Sequence, residues 1–68
     1  MMSKVKIMNV GYSFFNDCVT VIYEKKPGFS AYAAVAENLS VKEGDTVWVL
    51  QNDNLNYKGY HAVAVLQA

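Results

Sequence analysis

The stretch Asn52-Asp53-Asn54-Leu55-Asn56-Tyr57-Lys58-Gly59-Tyr60 holds the residues best suited to chemistry in this chain of 68 residues. Aromatic faces stack on planar groups, carboxamides read polar edges, and a lysine ammonium meets a phosphate. Trp48 lies a few residues upstream. Trp48, Asn54, Asn56, Tyr57, Lys58 and Tyr60 are therefore the candidate ligand-binding residues, and a small nucleotide-like molecule is the ligand they suit. The plainer reading is a hairpin loop whose Asn and Asp side chains satisfy their own backbone.

Groups for catalysis are sparse. The chain has no Gly-rich phosphate loop and no nucleophile elbow. Cys18 and His61 would be the only thiol–imidazole pair, but Cys18 opens an apolar segment, where a free cysteine behaves as a small hydrophobe. Glu43 and Asp45 flank Gly44 in a turn, and Asp17 and Asp53 fall in loops. One cysteine and one histidine fall short of the four ligands of a structural zinc site. The expectation is a binding protein with no catalytic residue, metal or cofactor.

Charge narrows the partners. Six lysines balance six acidic residues, and arginine is absent. A duplex nucleic-acid binder carries a basic excess and uses arginine for bidentate contacts, so strong duplex binding is not expected. No apolar run approaches a membrane span, and residues 1–10 lack a signal-peptide core. With one free cysteine, the expected compartment is the cytoplasm.

Five segments must position these side chains within a single domain, 1–68. Gly11, Asn16-Asp17, Lys25-Lys26-Pro27-Gly28, Lys42-Glu43-Gly44-Asp45 and Asn52-Asp53-Asn54 read as turns. Between them, Lys4 to Val10, Cys18 to Tyr23, Thr46 to Leu50 and Tyr57 to Leu66 read as strands, the second and third rich in β-branched residues. Phe29 to Leu39 is ambiguous: four alanines favour a helix over 30–39, while Pro27-Gly28 sets up a strand. The nine aromatics are expected mostly in the core. At 53% hydrophobic with no possible intrachain disulfide, the chain is expected to bury surplus apolar surface against a second copy as a homodimer.

Leu39-Ser40-Val41-Lys42-Glu43-Gly44-Asp45-Thr46-Val47-Trp48-Val49 is similar to the lead-in to a strand in many SH3-like and OB-like barrels. With Phe29 and Tyr32 before it and Gly59 to Val65 after, it resembles the N-terminal DNA-binding barrel of primosomal replication helicases. Small phage-encoded barrels are similar. Leu50-Gln51-Asn52-Asp53-Asn54 stands where the helicase barrel carries Pro-Phe-Gly-x-Arg. The resemblance implies a mainly β, five-stranded antiparallel SH3-like or OB-like barrel, with an α+β fold carrying a helix at 30–39 as the alternative. The functional expectation is binding or sequestration of a nucleotide-like ligand, as in phage counter-defence proteins acting in the host cytoplasm. The alternatives are a module that inhibits a host protein, and weak single-stranded nucleic-acid binding.

Overall fold

The computed structural model describes residues 1–68, which form five strands and no helix. These are β1 (Met2–Ser13), β2 (Cys18–Lys26), β3 (Phe29–Val35), β4 (Thr46–Gln51) and β5 (Ala62–Gln67). They close into a barrel in the order β1-β2-β3-β5-β4, with β1 also paired to β4. The mainly β, five-stranded reading therefore holds.

The barrel is mixed, because β3 and β5 run parallel through Ala34↔Val63 and Val35↔Ala64 while the other pairings are antiparallel. A parallel pair needs a long crossover, and residues 36–61, which include β4, supply it. Inserting β5 between β3 and β4 makes the order a Greek key of the OB-like kind, not an SH3-like meander.

The alanine-rich segment is a strand. β3 is paired on both sides, by β2 and by β5, and those two ladders outweigh alanine's local helix preference. Alanine also suits the site sterically. Ile7, Val21, Tyr23, Ala33, Val35, Val47, Val49, Ala62 and Ala64 fill the interior, and a five-stranded barrel has little room across it.

That narrow core corrects the expectation for the aromatics. Only Tyr23 is buried; Tyr12, Phe14, Phe15, Phe29 and Tyr32 are exposed, and Trp48, Tyr57 and Tyr60 are half-buried. Val, Ile and Ala leave no volume for more rings.

Turn chemistry matches most of the expected breaks. Pro27 fixes its own φ and Gly28 takes φ 83°, a type II turn joining β2 to β3 beside a register shift between Glu24 and Lys26. Gly11 departs from expectation, since it lies inside β1 opposite Thr20 rather than in a turn. The last strand also starts later than expected: residues 57–61 belong to the β4–β5 connection, and β5 begins at Ala62.

Candidate functional site

Strand alternation places Trp48 on the outer surface of β4, between inward-facing Val47 and Val49. It pairs with Lys4 of β1 and Leu66 of β5, and the Lys4 ammonium lies 5.5 Å from its ring centre. Asn52 lies four residues further along the chain, about 13 Å at the rise of a strand. Trp48 thus has Lys4 and Leu66 as its neighbours, while Lys58 of the following loop is bonded to Asn16 and Asp17.

The loop residues chiefly hold the loop together. Asn52 Oδ1 accepts the Asn54 N–H at 2.8 Å, and Asn56 Oδ1 accepts the Gly59 N–H at 2.9 Å. Tyr57 and Tyr60 bracket a two-residue turn through reciprocal backbone bonds of 3.0 and 2.9 Å. Its central residues, Lys58 and Gly59, both have positive φ, 53° and 92°, as a type I′ turn requires. His61 Nδ1 donates to the Leu55 carbonyl, while Cys18 is buried where β2 begins.

Lys58 ties this loop to the β1–β2 turn. Its Nζ donates to the Asp17 carbonyl at 2.7 Å and lies 3.6 Å from the Glu37 carboxylate. Its own carbonyl accepts from Asn16 Nδ2 at 2.7 Å. The ammonium is therefore already engaged, and what it fixes is the position of residues 14–17 against the barrel's end. Phe14 and Phe15 project from that turn, 87% and fully exposed respectively. Tyr12 packs edge-on against Phe14 with ring centres 5.0 Å apart, and its hydroxyl donates to the Asp17 carboxylate. That bond holds the Tyr12 hydroxyl above its ordinary pKa.

A second surface, not anticipated from sequence, lies on the outer side of β1, β2 and β3. Asn9 pairs with Ile22, and Ile22 with Tyr32; beside them Gly11 pairs with Thr20. These residues, with Val10 and Tyr12, line a shallow depression of about 190 Å³. Tyr32 is 64% exposed and forms one wall. Asn9 Oδ1 accepts the Val10 N–H at 2.8 Å, and Asn9 and Thr20 are the polar side chains that line the depression.

Gly11 lines this depression, and neither a left-handed backbone nor steric crowding calls for a glycine there. Its φ is not in the left-handed region. A Cβ would meet nothing closer than Thr20 Oγ1 at 3.7 Å, an ordinary van der Waals contact. A strand-interior glycine costs stability, and close approach by another group is one of the circumstances in which it is found. The signal available in sequence is Val10-Gly11-Tyr12 in alternating context, followed by the apolar pair Phe14-Phe15 directly before Asn16-Asp17.

Compared with known protein families, with curated proteins and with solved structures, the chain finds no match in any of the three. No comparison supports a relationship to primosomal helicases or to phage proteins; the structure shows a small closed five-stranded barrel.

Proposed function

We propose that this protein is a non-catalytic binding protein that holds a nucleotide-like ligand by stacking its base over Gly11 on the β1–β2–β3 surface. The observation that carries this reading is Gly11 itself: an open strand position, unstrained and sterically free, at the base of a depression walled by Tyr32, Tyr12 and Ile22. Stacking on a tyrosine supplies affinity with little demand on charge, and Asn9 and Thr20 offer polar contacts to the base edge. Compact OB-like barrels use this same outer surface and the adjoining loops for ligands.

Charge favours a nucleotide-sized ligand over a long strand. No lysine lines the depression, and the chain's formal charge is zero. Phosphate-backbone binding weakens steeply with salt because counterions are released. Binding dominated by stacking does not. Sequestration of a small signal nucleotide, the role expected from phage-like counter-defence barrels, is compatible with a site that has no reacting group beside it.

Isothermal calorimetry with adenosine monophosphate, a cyclic dinucleotide and an oligothymidylate, each at low and high salt, tests this reading. The expected result is binding of a mononucleotide or cyclic dinucleotide with shallow salt dependence, weakened about 5- to 150-fold by Tyr32→Ala. Absence of binding by all three probes, or affinity untouched in a folded Tyr32→Ala variant, refutes it. Tight oligothymidylate binding with a steep salt slope replaces it with single-strand recognition.

A further inference from the structure

A separate feature, independent of the stacking surface, lies where β1 leaves β2. The β1–β2 ladder starts at Ile7↔Tyr23, while residues Met2 to Lys6 of β1 pair only with β4. Beyond that apex the two strands diverge around a cleft of about 860 Å³ lined by Ser3 to Met8, Glu24, Lys25, Glu43 and Gly44. One edge of β1 is therefore open along its first half.

The direction of the open backbone groups follows from the pairing. Met1 exchanges both bonds with Gln51, each 2.8 Å, and Ile7 bonds to Asp45 and Gly44 at 2.8 and 2.9 Å. In an antiparallel ladder bonding alternates by residue, so Ser3 and Val5 also turn toward β4. The N–H and C=O groups of Met2, Lys4 and Lys6 then face the cleft. Such an edge is a template for an added strand.

Charge selects the occupant. Lys4 and Lys6 lie along the open arm, and Lys25 stands on the opposite wall. The carboxylates sit at the apex: Glu24 follows Tyr23, the partner of Ile7, and Glu43 precedes Gly44, which bonds to Ile7. A second copy of this edge would set Lys4 and Lys6 against their own counterparts, and like charges opposite one another destabilise a strand pair. An acidic segment gains where a second copy loses.

We infer that the open edge of β1 from Met2 to Lys6 binds an extended acidic peptide of a partner protein by strand addition. Acidic side chains at alternate positions meet Lys4 and Lys6 on the outer face, and β-branched residues between them follow the Val5 side. The edge accommodates about five residues at roughly 3.4 Å each.

The test uses the full chain and a fluorescein-labelled hexapeptide alternating glutamate and valine, with a lysine–valine hexapeptide as control. Anisotropy should rise with the acidic peptide and not with the control. Amide exchange of Lys4 and Lys6, read by NMR, should slow at least about tenfold at saturation, as for amides entering a hydrogen-bonded ladder. Lys6→Ala, which keeps the N–H, should weaken binding about two- to fivefold, as for an exposed ion pair. Lys6→Pro removes a donor that β4 does not use and should weaken it about tenfold or more. The exchange measurement on the parent protein stands even where Lys6→Pro fails to fold. No binding at millimolar peptide, equal binding of the control, or unchanged exchange at Lys4 and Lys6 overturns the inference. Slow exchange of these two amides in a peptide-free dimer also overturns it, since a second copy would then fill the edge. None of these results bears on nucleotide binding at Gly11.

Discussion

Replacing Gly11 by alanine should make the protein more stable and a poorer binder. A glycine inside a strand costs roughly 0.5–1 kcal/mol relative to alanine through its unfolded-state entropy. Nothing at this position cancels the gain, because the new Cβ meets only Thr20 Oγ1, at 3.7 Å, and the backbone φ is not in the left-handed region. For a domain of this size each kcal/mol moves the melting temperature by about 4–8 °C, so the expected rise is about 2–8 °C. The same methyl lifts a stacked ring off the floor of the depression. A base lifted in this way loses part of the roughly 1–3 kcal/mol that base–aromatic stacking supplies, so Kd should rise by up to about 150-fold. Gly11→Val should repeat both effects more strongly, since valine suits a strand and fills more of the space. Thermal unfolding by circular dichroism and calorimetric titration with the tightest-binding nucleotide read the two effects separately. A fall in melting temperature means the glycine is structural. A stabilised variant with unchanged affinity means the ligand does not lie over Gly11. Either result refutes the reasoning.

Three further outcomes follow from the fold. Burial of Tyr23 and the Tyr12–Asp17 bond hold both hydroxyls above their ordinary pKa near 10, so their stabilisation is complete below pH 10 and is lost as pH rises through the raised values; Tyr23→Phe should move the alkaline unfolding midpoint upward, and an unmoved midpoint contradicts the assignment. Asn16→Ala removes the Nδ2 bond to the Lys58 carbonyl and the bond from Ser13 Oγ. It should cost about 0.5–3 kcal/mol in urea unfolding and loosen residues 14–17 in amide exchange; a loss below that range leaves the two loops uncoupled. Met2, Trp48 and Leu66 line the outer surface of β1, β4 and β5, with Leu66 58% exposed. Light scattering should give about twice the chain mass, reverting to one chain mass in Leu66→Lys, and a monomeric parent removes this surface as a dimer contact.

What the sequence revealed depended on which forces were local. β2 and β4 are readable because Val19-Thr20-Val21-Ile22 and Thr46-Val47-Trp48-Val49 are runs of β-branched and aromatic residues whose preference agrees with their place in the barrel. β3 was ambiguous because its alanines prefer a helix alone and become a strand only when β2 and β5 pair with them. The parallel β3–β5 contact joins residues far apart in sequence, and no local pattern announces it. The candidate site divided for a similar reason. Alternation puts Trp48 on the outer face, but the Tyr57 to Tyr60 turn folds toward Asn16 and Asp17 through contacts between distant residues. Aromatic exposure is not legible in the sequence because burial depends on interior volume, and a barrel lined by Val, Ile and Ala has room for only Tyr23. Gly11 looked like a turn because glycine's usual signal is conformational. Its ordinary φ and open Cβ position appear only in three dimensions.

The most direct test of the central claim is a ¹⁵N NMR titration of the protein with a cyclic dinucleotide and with adenosine monophosphate. Binding over Gly11 predicts that the largest shift changes fall on the amides of Asn9, Gly11, Thr20, Ile22 and Tyr32, with the Trp48 indole left in place. Changes confined to Trp48 and residues 52–61, or no change with either nucleotide at millimolar concentration, would contradict it.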